Sequence, residues 1–324
     1  KSIKVFVSTF LGMKLAPDGK LRCSYNPAGT KTYRFSSRKD IDGCGGNLAN
    51  LPSKGKIELK YALQELTMDE EDESEVTEED AEDFVGSIQL PNVKEMFIPP
   101  TGWVFFDADY SAIDLHFVIW ESDCKYLKDI IRSGGDVYSV LASEYYRRDI
   151  SKKDDERQIF KSVCHGGNYL GKAPTLAAKA GLSVLAVKKV LDNYFRKCPE
   201  IPRWHERIKQ DCLTKGYTSN IFGARFWCTD TTDPMWLNKM VAAVPQSSAG
   251  ILVNKALCNI ENKEGGKIKV LLQTHDSISG IFRIEDVEAP ERIRQHMELT
   301  IPYTDRLVIP AVVKTSSESY GHCK

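Results

Sequence analysis

WVFFDADYSAIDLHF, residues 103–117, decides how the chain is read. Trp103 to Phe106 is a β-prone apolar run. It meets two aspartates, a tyrosine and a serine, after which an apolar pattern with helical spacing resumes. Carboxylates at the end of a buried strand are costly unless something positive meets them. Asp107-Ala108-Asp109 is therefore the first place to look for chemistry.

A second such place lies in KIKVLLQTHDSISGIFRI, residues 267–284, which reads as two apolar strands joined by a tight polar turn. The turn holds His275-Asp276-Ser277. Asp and Ser in a turn are ordinary turn chemistry when taken alone. If the two acid-bearing strands are neighbours in one sheet, Asp109 and Asp276 converge at its edge. Hard oxygen ligands of that kind suit Mg²⁺. A pair of such ions activates a hydroxyl and stabilises a leaving phosphate in an in-line displacement.

The third is ERQIFKSVCHGGNYLG, residues 156–171, expected to be a helix. Arg157, Lys161, His165 and Tyr169 recur every four residues, which puts them on one slowly drifting face. Arg and Lys one turn apart can clamp a triphosphate, and an aromatic further along can stack on a base. Gly166-Gly167 weakens the helix there and points to a bend or a close approach.

Composition agrees with a soluble globular chain: 324 residues, 42% apolar and 27% charged. No apolar run is long enough for a membrane-spanning helix, so no membrane is expected. The nine cysteines form no CxxC pair, which argues against a zinc site or disulfide framework and for reduced thiols in a cytoplasmic setting. Residues 69–83, DEEDESEVTEEDAED, hold eleven acids and no base; without them the net charge of −1 becomes +10. A body so basic suits a polyanionic partner. Like charges as dense as those in the run repel, which marks it as a surface insertion.

Elsewhere the pattern predicts short strands and turns over 3–37 and helix from Ser111 to Arg148, broken near Gly134-Gly135. It predicts a hairpin around Phe222-Gly223, a long helix over 236–263, and a final helix (290–299) and strand (306–314).

DADYSAIDLHF resembles motif A of the family A DNA polymerases, usually DYSQIELR; RQIFKSVCHGGNY resembles their motif B; QTHDS resembles motif C, usually VHDE. Supporting resemblances follow in the same order: YRFSSRKDIDGCGGNLANLP (33–52), YFRKCPEIPRWHE (194–206), GYTSNIFGARF (216–226) and QSSAG (246–250). Together they cover nearly everything from residue 19 onward. The resemblance implies an α+β fold: a right-hand polymerase palm on an antiparallel sheet, helical fingers, and a thumb largely absent. It implies a palm segment at 1–52, an acidic insertion at 53–93, palm with motif A at 94–150, fingers with motif B at 151–235 and palm with motif C at 236–324.

It also implies roles. Asp109 and Asp276 would hold two Mg²⁺ ions; Arg157 and Lys161 would grip the deoxynucleoside triphosphate; His165, Tyr169 and Asp114 would line its binding site. Arg34 and Gln246 would touch the minor groove of the primer–template DNA, His275 would lie near the primer terminus, and Asn47 and Asn50 beside the DNA backbone. The implied reaction is nucleotidyl transfer to a primer 3′-hydroxyl, in the cytoplasm of a bacterium or virus-infected cell, or in an organelle. The alternatives are a single-subunit RNA polymerase relative, which shares HDS in motif C, and a non-catalytic nucleic-acid-binding subunit.

Several residues depart from the family pattern: Asp114 stands for the usual Glu, His165 for the usual aromatic, Ser277 for Glu and Ala242 for Asn, and Leu170 is interposed after Tyr169. The start at Lys1, without methionine and too close to Arg34 for a thumb or exonuclease domain, leads to the expectation of a fragment or split subunit. A separate thumb or exonuclease polypeptide, or a processivity factor, would then complete it.

Overall fold

The computed structural model describes residues 12–27, 29–51, 56–58, 87–89 and 92–323. The acidic run 69–83 and the first residues of the N-terminal segment lie outside them. The strands are β1 (Ser24–Asn26), β2 (Ser36–Arg38), β3 (Lys56–Glu58), β4 (Ser87–Gln89), β5 (Trp103–Tyr110), β6 (Tyr217–Ser219), β7 (Arg225–Trp227), β8 (Ile268–Thr274), β9 (Ser277–Arg283), β10 (Thr300–Ile301), β11 (Leu307–Val308) and β12 (Ala311–Ser316). The helices are α1 (Ile113–Ser122), α2 (Lys125–Arg132), α3 (Val137–Tyr146), α4 (Asp155–Asn168), α5 (Ala173–Ala180), α6 (Val184–Lys197), α7 (Glu200–Lys215), α8 (Trp236–Glu264) and α9 (Ala289–Met297).

A four-stranded antiparallel sheet in the order β12-β5-β9-β8 carries the centre of the molecule. The opening stretch supplies β5, and its alternation sorts the two faces. Phe106, Ala108 and Tyr110 are buried against the helices, where the Tyr110 hydroxyl donates to the Met297 carbonyl at 2.5 Å. Phe105, Asp107 and Asp109 take the opposite face. There Phe105 packs on Tyr320 and Ile281 in a small second cluster. Burying each large apolar side chain of this kind stabilises by about 1.5–3 kcal/mol. The sheet can pack so closely only because residue 280 lacks a side chain: a Cβ there would lie 2.2 Å from the Lys269 carbonyl oxygen.

The helical stretch after β5 is broken twice. Asp123, with φ 57°, ends α1, and the Gly134-Gly135 break predicted from sequence separates α2 from α3. Helix α4 stops at Asn168, so Tyr169 is its C-terminal cap rather than a fourth turn of the face. Leu170 then takes φ 58°. Asn238 of α8 donates to both the Tyr169 and Leu170 carbonyls at 2.9 Å and fixes this exit. The Gly166-Gly167 pair serves close approach within an unbroken helix: added Cβ atoms would meet Leu176 at 2.3 Å and Leu191 at 2.7 Å. Helices α5 and α6 thereby seat directly on α4.

The hairpins fall where expected, β6–β7 around Phe222-Gly223 and β8–β9 around His275-Asp276. Backbone pairing of β3 with β4 joins the two described segments that flank the acidic run in sequence. The strand expected over 306–314 divides at Ile309-Pro310: Leu307–Val308 pairs with β10, and β12, which runs on to Ser316, joins the large sheet.

Candidate active site

Strands β5 and β9 are adjacent, with Asp109 opposite Ser277, so the acid of the first strand end lies beside the turn that holds Asp276. The Tyr110 amide reaches the Asp276 carbonyl at 3.5 Å. His275 takes φ 50° at the first central position of this two-residue turn and is exposed, while Asp276 is half-buried. Tight hairpins favour such a positive φ because it matches the strand twist. Sequence separation thus becomes adjacency through one antiparallel register.

Asp109 is exposed at the end of β5, and Asp114, in the first turn of the following helix, is half-buried. Burial, then the neighbouring charges of Asp276 and Asp107, push the Asp109 carboxyl up to about 6, against Lys314 and Lys94. Burial and the Asp276 charge likewise raise Asp114 to about 6, partly offset by Arg34. Arg34 is the cation that meets Asp276 and Asp114: its Nη2 donates to Asp276 Oδ1 at 2.8 Å and to Asp114 Oδ1 at 3.4 Å. Helix α8 positions that arginine. Asn254 donates to the Tyr33 carbonyl at 2.9 Å, and a Cβ on Gly250 would stand 2.6 Å from the Thr32 carbonyl oxygen. The QSSAG stretch therefore owes its glycine to the close approach of the Arg34 segment.

A cavity of about 710 Å³ opens from these carboxylates toward α4 and is lined by Asp109, Asp114, Asp276, Arg157, Lys161 and His165. Arg157 donates from Nε and Nη2 to both oxygens of Asp136 at 3.0 and 2.9 Å. That pairing holds the Asp136 carboxyl down at about 2, against its burial. Lys161, one turn on, is exposed. Burial, then the Lys161 and Lys179 charges, lower the pKa of the His165 imidazole, against Asp276. The Tyr169 ring meets His165 edge-on at 5.0 Å, and its hydroxyl is buried without a hydrogen-bond partner among the described residues.

The remaining candidates lie apart from the cavity lining. Asn47 is exposed and accepts from Ser37 Oγ at 2.6 Å; Asn50 ends a short 3₁₀ turn; Gln246 is half-buried on α8, directly after Pro245. Asp136, Lys152 and Asn254 were not singled out from sequence. Asp136 did carry a signal, since it follows Gly134-Gly135 and caps α3 by accepting from the Ser139 amide.

The raised carboxyls make a test. A carboxyl whose pKa is higher in the folded chain stabilises fully below its unfolded value, and that contribution is lost as pH rises through the folded value. For Asp109 and Asp114 the loss falls between about pH 4 and 6. Water screens the exposed Asp109, so the half-buried Asp114 carries the effect: Asp114→Asn should match the parent in thermal unfolding near pH 4 and exceed it at pH 8. A gap that does not open with pH would show that the carboxylates are not in conflict.

The model of DNA polymerase family A matches residues 1–320. DNA polymerase I of Chloroflexus aurantiacus is 25% identical over 304 residues, which is 91% of this chain and 28% of that protein. A DNA polymerase of Mycobacterium phage D29 is 26% identical over 186 residues, 57% of this chain and 30% of its own length. The chain thus spans under a third of these relatives. A solved structure, the POL domain of Pol1 from M. smegmatis in complex with DNA primer-template and dNTP, superposes with a TM-score of 0.76 at 21% identity, covering 99% of this chain and 52% of that one. That likeness establishes the shared fold, palm sheet and helical fingers included. Because the family match runs through the sheet, the helical lobe and the hairpin that brings Asp276 to Asp109, and not through a single motif, the chain belongs to DNA polymerase family A.

Proposed function

We propose that this chain carries out template-directed DNA synthesis: a primer 3′-hydroxyl attacks the α-phosphate of a deoxynucleoside triphosphate and pyrophosphate leaves. One observation carries the reading. Asp109, near the end of β5, and Asp276, in the adjoining β8–β9 turn, face the Arg157–Lys161 side of α4 across a single cavity. Phosphoryl transfer asks a protein for positioning and charge neutralisation more than for covalent chemistry.

The donor set fits divalent cations. Asp109 and Asp276 are hard oxygen donors whose mutual repulsion helps to raise Asp109, and a cation would relieve that conflict. Among the described residues no three His, Cys, Asp or Glu side chains form a closed cage. An open pair of acids is what Mg²⁺ generally uses, with substrate phosphates completing its shell. Two bound Mg²⁺ ions would activate the hydroxyl and neutralise charge on the leaving phosphate.

The side chains divide the remaining work. Lys161 and Arg157 hold the triphosphate from the α4 side. Tyr169 and His165 flank the new base pair, with Asp114 beside the sugar. Arg34 and Gln246 read the minor groove, His275 stands at the primer end, and Asn47 and Asn50 face the DNA backbone. On this reading residues 1–52, 94–150 and 236–324 are palm, 151–235 fingers, and 53–93 an acidic insertion. Its partners are primer–template DNA and deoxynucleotides. Among the described residues no helix is long and apolar enough to cross a membrane.

Primer extension on one template, with deoxynucleotides and with ribonucleotides, tests the proposal. Extension with a strong deoxynucleotide preference is expected. A ribonucleotide preference would favour an RNA polymerase, and duplex binding without extension would favour a non-catalytic binding subunit.

A further inference from the structure

The β6–β7 hairpin has two unlike faces. Its inner face carries Thr218 and Phe226, both buried. Phe226 meets the Tyr33 ring edge-on at 6.3 Å, next to the Arg34 that holds Asp276. Its outer face carries Tyr217, Ser219, Arg225 and Trp227, set by the pairs Tyr217↔Trp227 and Ser219↔Arg225. The rings of Tyr217 and Trp227 lie 5.1 Å apart, tilted by 55°. The Arg225 guanidinium sits over the Tyr217 ring at 4.8 Å from its centroid. Trp227 nevertheless remains 60% exposed.

A cross-strand aromatic pair stabilises a hairpin by a few tenths to about 1 kcal/mol. That accounts for the contact but leaves most of an indole in water. The chemistry of the outer face is more selective than its area. Stacking surfaces and a guanidinium are interleaved, and from Gly216 to Thr229 the chain contains no acidic residue. An apolar protein partner would leave the guanidinium unmatched. A chain of flat rings joined by phosphates matches both halves, because every base has a π-face and every phosphate an acceptor for arginine.

We propose that Tyr217, Arg225 and Trp227 form a stacking platform for single-stranded nucleic acid, with bases on the indole and a phosphate on the guanidinium. The opposite face of the hairpin meets Tyr33, whose neighbour Arg34 bonds Asp276. Given the polymerase reading on which this rests, the platform's occupant is the unpaired template ahead of the primer terminus.

The test uses an oligothymidylate of about a dozen nucleotides, long enough for one such groove. Base stacking quenches indole emission, and the chain has five tryptophans, so the Trp227 share is the difference between parent and Trp227→Phe. We expect quenching in the parent, its loss with most affinity kept in Trp227→Phe, and about tenfold weaker binding in Trp227→Ala. Arg225→Gln should lower the salt slope by about 0.7. Binding to a blunt duplex should change little in any variant. If Trp227→Ala unfolds, the quench and the salt slope decide. Unchanged oligothymidylate affinity in Trp227→Ala and Arg225→Gln would overturn the platform, as would equal losses on blunt duplex. Self-association that depends on Trp227, with oligonucleotide affinity unaltered, would overturn it in favour of a contact between copies of the chain. None of these readouts uses catalysis, so failure of extension would leave them interpretable.

Discussion

Asp276→Asn is expected to reduce primer extension by about 10³-fold or more while leaving duplex binding within about twofold. The substitution is isosteric and removes one negative charge from the edge of β8–β9. On the proposed mechanism the cations lose one of only two carboxylate ligands, and the triphosphate and the attacking hydroxyl lose their common anchor. On the same proposal DNA affinity rests on phosphate contacts elsewhere and should persist. A fold defect would be misread as a catalytic one, so thermal unfolding is measured in parallel. Relief of repulsion with Asp109 favours the variant, whereas weakening the 2.8 Å contact from Arg34 opposes it. Mg²⁺ should raise the melting temperature of the parent at pH 8 and have a smaller effect on the variant. Equal extension by variant and parent would remove the two-metal assignment.

Lys161→Ala should lower kcat/KM for the nucleotide by about 10²–10³-fold, or about 2.7–4 kcal/mol of transition-state stabilisation. Primer–template affinity should be unaffected. The reason is geometric. Arg157, one turn earlier, is committed through its Nε and Nη2 edge to Asp136, so it meets a phosphate with part of its donor set already used. Lys161 faces the same cavity and is exposed. Lys161→Arg should restore a good part of the activity, because a cation at that turn is what charge neutralisation requires. Titration of nucleotide at fixed primer–template separates the possibilities. An unchanged apparent nucleotide affinity and rate would eliminate Lys161 as a clamp.

Much of this site was legible in the sequence because its parts are local. A β-prone run ending in acids, a tight polar turn between apolar strands, and cations at four-residue spacing each follow from backbone periodicity. Their elements appear almost where the pattern placed them, β5 at Trp103–Tyr110 and β9 from Ser277. The illegible parts depend on who faces whom. Nothing near Arg34 foretells that it bridges Asp276 and Asp114, since both partners come from distant segments. Four-residue spacing carried the α4 face one turn too far, because Asn238 of another helix captures the Tyr169 and Leu170 carbonyls and ends the helix there. The pairing of Arg157 with Asp136 likewise joins two helices that periodicity treats separately.

Sequence alone determined the residue types and the local geometry: which stretches alternate, which turn tightly, and which acids sit at strand ends, all properties of a few consecutive residues. Only the tertiary structure decided the electrostatics, because a carboxyl rises to about 6 when burial and a second acid meet it, as happens to Asp114 beside Asp276. Charge interactions act through space and depend on how much water the packing excludes, and neither quantity is written in the order of the residues.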